Sequence, residues 1–108
     1  MIQVRLRRLL DVAPRPGERP FVAGASGLCE AGGHLFVVAD DEHTLAAFPV
    51  SNNAPGGRHS LLRPQAPDQA PLPKVLKPDL EALCLLPDGS LLVLPSGSSP
   101  QRRVGAVV

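Results

Sequence analysis

Short apolar runs alternate along this chain with clusters of Gly, Pro, Asp and Ser. Thirteen prolines and ten glycines interrupt it too often for long helices. At the start Ile2, Val4 and Leu6 alternate with Gln3, Arg5 and Arg7, the two-residue period of a half-buried strand with a basic wet face. Residues 11–20, DVAPRPGERP, form a connector. SGLCEAGGHLFVVADDEHTLAAFPV then predicts three strands. The first, 27–30, turns through Ala31, Gly32 and Gly33 into 34–39, and the acidic turn 40–43 leads into 44–50. Residues 51–58, SNNAPGGR, are loop, and 59–62 is a fourth, outer strand. The segment after it, RPQAPDQAPLPK, is too rich in proline for the inside of a sheet.

The last third repeats the plan. Strand 80–86 meets a turn at Leu86, Pro87, Asp88 and Gly89, where proline presets φ and glycine accepts a positive φ. Strands 90–94 and 103–108 follow. Leu28 and Cys29 align with Leu83 and Cys84 at an offset of 55 residues, and 34–38 aligns with 90–94 after one added turn residue. Repeats of roughly 40–50 residues with about four strands each are the mark of β-propeller blades. The expected fold is therefore all-β and antiparallel, with about two propeller-like blades, and a small β-sandwich or barrel is the alternative. Within a single partial domain, 1–10 would be a ring-closing strand and 24–62 the first blade. Residues 63–78 would be a Pro-rich linker and 79–108 an incomplete second blade. With so few blades, and an apolar run at VGAVV, the sequence reads as the amino-terminal part of a larger protein.

Composition narrows the function classes. Apolar residues make up 44% of the 108, which separates the chain from disordered sequences. A net charge of +1, three Phe, no Trp and no Tyr argue against nucleic acid, since both a steering field and stacking platforms are missing. No apolar run suggests a secretory signal or a membrane span, so a cytoplasmic location with reduced thiols is expected. Cys29 and Cys84 lack zinc spacing. They read as small buried hydrophobes, with a disulfide open if adjacent strands bring them together.

Two stretches, ASGLCEAGGHLFVVADDEHTLAAFPV and KPDLEALCLLPDGSLLVLPSGSSPQRR, resemble the start of an uncharacterised bacterial family of phytase-like or esterase-like β-propellers. In these an S-G-L opening begins one blade and a D-L-E-[AG]-[LI] opening another. The resemblance covers most of residues 24–108. It implies carboxylates near a central channel that hold calcium or another divalent cation, and residue by residue it points to Asp79 and Glu81. The matching place in the first unit, Ala25, Ser26 and Gly27, has no carboxylate.

Read from the residues alone, Asp79 and Glu81 stand two apart and share one face of a strand. Calcium takes about six to eight oxygens, so they are part of a site at most. The plainer reading has Asp79 capping the turn after Pro78 and Glu81 pairing with an arginine. Asp40, Asp41, Glu42 and His43 are a dense polar turn, ordinarily a solvated hairpin tip and alternatively a cation site with His43 as a base. Ser96 and Ser98, with Arg102 and Arg103, could cradle an anion through exposed backbone N–H groups and guanidinium forks. The alternative there is a flexible turn. Ser26 departs from the G-x-S-x-G elbow, and His34 and His59 have no evident acid partner, so a Ser/His hydrolase is not expected.

The function expected is a scaffold or ligand-binding propeller segment without catalysis of its own, its small-molecule ligand unspecified. The alternative is part of a divalent-cation-dependent phosphoester or ester hydrolase. Neither nucleic acid nor membrane is an expected partner. Open sheet edges invite self-association.

Overall fold

The run from Leu35 to Ala39 is apolar without alternation, and a strand of that kind needs cover on both faces. It has it. The computed structural model describes residues 1–5, 8–61 and 77–108, and it is all-β and antiparallel, with two sheets and, among the described residues, no α-helix. The first sheet is a meander of four consecutive strands, β1 (Ala25–Ala31), β2 (His34–Ala39), β3 (Thr44–Pro49) and β4 (Gly57–Ser60). The second contains β5 (Leu80–Leu85), β6 (Leu91–Pro95) and β7 (Ala106–Val107). Among the described residues neither sheet closes on itself.

One face of the first sheet packs on the second sheet. Val38 and Leu45 are buried there with Leu80, Leu83, Leu91 and Val93, and Cys29 and Phe36 pack against them. The opposite face gathers Val37, Ala39, Ala46 and Phe48 under Val12 and Val22, with Leu10 and Leu35 beside them. Odd and even residues of β2 therefore serve two different cores.

The segment covering that second face corrects two expectations. Residues 1–5 and 8–10 form no strand, and Ile2 and Val4 are exposed. Leu6 lies outside the described residues. A strand forms only where a neighbour completes its hydrogen bonds, and alternation alone does not provide one. The neighbour is instead taken by the supposed connector. Val12 N–H donates to Pro20 O at 3.0 Å, and Val22 N–H to Leu10 O at 2.9 Å. Ala13 N–H reaches Gly56 O at 2.8 Å, and Gly56 N–H returns to Asp11 O at 2.9 Å. Arg8 fixes this cover, its guanidinium 5.3 Å from the centre of the Phe48 ring and bonded to the carbonyls of Pro49, Asn52 and Ala54.

The turns follow their residue types. Gly32 and Gly33 both take positive φ, 56° and 78°, in the tight β1–β2 hairpin. Gly89, with φ 87°, donates its N–H to Leu86 O at 2.9 Å, and Asp88 accepts from both the backbone and the hydroxyl of Ser90. The outer strand begins earlier than expected, at Gly57, and Leu62 and most of the 63–78 linker lie outside the described residues. The expected strand 103–108 contracts to Ala106–Val107.

The repeat goes deeper than its sequence signature. The β1–β2 ladder slips between Ala25 and Gly27, and the β5–β6 ladder slips between Leu80 and Ala82. These bulges are 55 residues apart, the offset of the aligned sequences. The second lets β5 bury residues that strict alternation would separate, which is how Leu80 and Leu83 enter one core.

Gly27 sits where β1 passes close to β5 and to the Val38 side chain of its own sheet. A Cβ there would lie 2.8 Å from Val38 Cγ2 and 3.2 Å from Leu83 N. Gly27→Ala is expected to cost about 1–3 kcal/mol in urea unfolding, the usual penalty of overpacking. Gly57→Ala, whose new methyl would have only His59 Nε2 at 3.9 Å, serves as the control and should be far milder. Equal effects would refute the tight contact.

Candidate functional site

The aspartate before the second bulge is held from four directions. Asp79 has a left-handed backbone, φ 55°, a conformation that aspartate tolerates better than most residues. Its N–H donates to Asp40 O at 3.0 Å, so it is tied to the β2–β3 turn of the first sheet. Its carbonyl accepts from Ser96 N–H at 2.9 Å, just beyond β6. Its carboxylate Oδ2 accepts from the Ser96 hydroxyl and, at 3.4 Å, from Arg102 Nη1.

The two sites expected separately are thus one. Ser96 Oγ also lies 3.0 Å from Ser98 Oγ and accepts from Ser98 N–H at 3.2 Å, and Arg102 Nη1 reaches Ser98 Oγ at 3.3 Å. A 3-10 turn, Pro100–Arg102, shapes the loop that was expected to be a plain flexible turn, with Gly97 N–H donating to Arg102 O at 2.8 Å. Gly97 supplies the positive φ, 71°, on which the loop reverses. Arg103 ends the 3-10 turn, is exposed, and contributes none of the cluster's hydrogen bonds.

Glu81 joins from the bulge. It is exposed and shares a hydrogen bond with the Asp79 carboxyl. That bond, together with some burial and the charges of Asp79 and Asp40, raises the Glu81 pKa above the ordinary carboxylate range. Asp79 moves the other way, lowered chiefly by the Ser96 hydroxyl and further by Arg102. Of the two carboxyls Asp79 is thus the one that ionises first as pH rises, and Glu81 the one that keeps its proton longer. Asp79 adds stability that is present above its unfolded pKa and is lost as pH falls. Glu81 adds stability present at low pH that is lost as pH rises through its folded pKa. Among the described residues no group of three or more His, Cys, Asp or Glu is arranged to hold a metal ion.

The acidic turn is the residue set that sequence reasoning misplaced. Asp41 and Glu42 are buried, 7% and 4% exposed, where a solvated hairpin tip was expected. Their partners come from far along the chain. Arg58 Nε donates to Glu42 Oε1 at 2.5 Å, while its Nη atoms bond Arg19 O at 2.6 Å and Phe21 O at 2.8 Å. Arg19 pairs with Asp41 at 2.9 Å, and Glu18 stands 3.7 Å from Arg58. Burial still raises the Glu42 pKa, against the pull of Arg58 and Arg19. The signal was present as five charged residues, Glu18, Arg19, Asp41, Glu42 and Arg58, in three separate segments, but nothing local says which of them meet.

The remaining candidates are structural. Ser26 donates to Leu80 O, bridging the two sheets at the first bulge. His34 is exposed, 6.0 Å from the Phe36 ring, and His59 is exposed on β4. Both cysteines are free thiols. Cys29 packs between the sheets, whereas Cys84 is exposed on the far side of the second, so the reading of both as buried hydrophobes fails for Cys84.

Residues 22–108 match a family of unknown function, DUF6929. The chain belongs to this family. No curated protein and no solved structure matches it. The DUF6929 match takes in both sheets, the Asp79 cluster and the acidic turn with Arg58. Arg8, Val12 and Arg19 precede the matched stretch. No helix of the described residues is long and apolar enough to cross a membrane.

Two outcomes follow. In an NMR pH titration of side-chain carboxyl carbons, Asp79 should titrate below and Glu81 above their ordinary ranges. Asp79→Asn should bring Glu81 back down, and a Glu81 that does not respond would break the assigned pair. At the buried corner, Arg58→Ala should cost about 3–5 kcal/mol by chemical denaturation, because Glu42 is left buried and unpaired. Replacing Glu42 and Arg58 together with apolar residues should cost less than the single change.

Proposed function

We propose that this member of DUF6929 is a segment of a β-propeller-like scaffold whose loop end binds a small polar ligand, with no catalysis of its own. The observation that carries this reading is the convergence of two loops, the β2–β3 turn and the loop after β6, on Asp79 at one end of two stacked sheets. Its backbone bonds Asp40 on one side and Ser96 on the other. Rigid sheets presenting clustered loops are a common basis for binding. The consecutive strand order of the first sheet and the matched bulges support the propeller reading.

The chemistry of the cluster favours binding over turnover. Ser96 and Ser98 are engaged with Asp79 and Arg102, and no imidazole is among their described partners. Asp79 already neutralises Arg102, so a bare anion would meet a carboxylate as well as a guanidinium. A neutral or zwitterionic ligand rich in hydroxyls suits the mixture of donors and acceptors better. The two free thiols accord with a cytoplasmic setting.

A second reading draws on the raised pKa of Glu81. Two adjacent carboxyls, with Asp40 adding to the negative charge felt by Glu81, could share a divalent cation. Calcium would then find Asp79 and Glu81 as part of its ligand set, as expected of a phytase-like hydrolase, with further oxygens supplied from elsewhere.

Thermal unfolding with and without added calcium separates the two. The scaffold reading expects an unchanged Tm and no hydrolysis of a simple phosphomonoester. A calcium-dependent rise that disappears in Glu81→Gln, an exposed and structurally mild change, would replace it with the cation-dependent one.

A further inference from the structure

The cover over the first sheet is narrower than the sheet. It is pinned on the β3–β4 side, where Ala13 and Asp11 bond Gly56 and Arg8 bonds the carbonyls of Pro49, Asn52 and Ala54. From there it reaches β2, where Val37 is 2% exposed, and stops short of β1. Leu28, the partner of Val37 in the β1–β2 ladder, is left 62% exposed. The step from covered to uncovered strand is a cleft of about 540 Å³, a size typical of small-molecule sites. Leu10 comes to it from the cover, and Leu28, Leu35 and Val37 come from the sheet.

The charge in this cleft has one sign. Arg5 and Arg8 are in its lining, and no carboxylate is. Neither arginine forms an ion pair with a described residue. Arg8 is held by three carbonyls and the Phe48 ring, which fix its guanidinium without neutralising it. Arg5 is exposed and bonds no described residue, so its fork of donors is open. Ser26 also lines the cleft, but its hydroxyl is engaged by Leu80 O between the sheets.

We propose that the cleft binds an amphipathic acid, a small organic molecule with one carboxylate on an apolar body. The body lies on Leu28 and Leu35, and the carboxylate meets Arg5 beside the fixed charge of Arg8. Aliphatic side chains alone would accept any hydrophobe, and arginines alone would accept any anion. A molecule with both parts satisfies both, and the guanidinium fork matches a carboxylate in shape as well as charge. A sugar phosphate fits poorly, because its hydroxyls would be buried against aliphatic side chains without partners. The cleft shares no residue with the Asp79 cluster, so this inference is independent of the ligand proposed there.

The test follows the leucine and valine methyl signals of the full chain by NMR during titration with octanoate, octanol and octylammonium. Octanoate should shift Leu10, Leu28, Leu35 and Val37 saturably and bind at least about tenfold more tightly than octanol, as one charge-assisted hydrogen bond would give. Octylammonium, repelled by both guanidiniums, should bind most weakly. Arg5→Gln should bring octanoate down to the level of octanol and leave octanol unchanged. Leu28→Asp, which places a carboxylate beside the arginines, should abolish octanoate binding. Equal affinity of the wild type for octanoate and octanol overturns the proposal, since the cleft would then be an apolar patch and no more. So does octanoate binding that Arg5→Gln leaves intact, a response at Leu94 and Val107 in place of the cleft methyls, or the absence of any saturable shift.

Discussion

This structure depends on β2 being covered twice. A strand with Val37 and Val38 both almost fully buried cannot belong to a half-wet sheet, so two layers must be brought to it. One is the second sheet. The other is the segment from Arg8 to Val22, which lies across the opposite face and pairs with Gly56. Burial of a large aliphatic side chain contributes about 1.5–3 kcal/mol, so β2 alone anchors a substantial part of the fold. The chain has only three aromatic residues, and one of them, Phe48, fills the core under Val12 without any exposed surface.

The stacking of the sheets also makes the loop cluster. Asp79 is the first residue of the second unit to touch the first, and its backbone bonds to Asp40 and Ser96 hold the ends of the two sheets in register. Its side chain then orders the Ser96 loop and fixes Arg102. The same residue is a joint in the fold and the centre of the charge pattern. Removing its carboxylate would loosen the Ser96 loop and restore Glu81 toward an ordinary acid in one step. Glu81, exposed and outside the backbone joint, is the cleaner handle on the chemistry.

Local pattern made much of this legible. Alternation and turn chemistry placed the hairpins, and the offset between Leu28-Cys29 and Leu83-Cys84 revealed the repeat. It did not reveal the bulges, because a bulge changes which face a residue takes without changing its type. Ile2 and Val4 misled for the opposite reason: their alternation is real, but pairing also needs a neighbour. The acidic turn misled because Arg19 and Arg58 reach it from 22 and 16 residues away, and only tertiary structure puts them beside Asp41 and Glu42. Asp79, Glu81, Ser96, Ser98 and Arg102 were each legible as candidates. That they neutralise one another was not, since their meeting depends on where β5 begins and β6 ends.

The buried corner has a bearing on the order of assembly. Arg58 belongs to the last strand of the first sheet, yet its bonds run back across 39 residues to Arg19 and across 37 to Phe21. Closing so long a loop has an entropic cost that is recovered only once β2, β3 and β4 are in place. The corner is therefore expected to close late, after the hairpins have formed. Contacts made late leave the rate of folding almost untouched and govern how fast the native state comes apart. In that sense the charges at 19, 41, 42 and 58 act as a latch, setting the lifetime of a meander that local sequence has already specified.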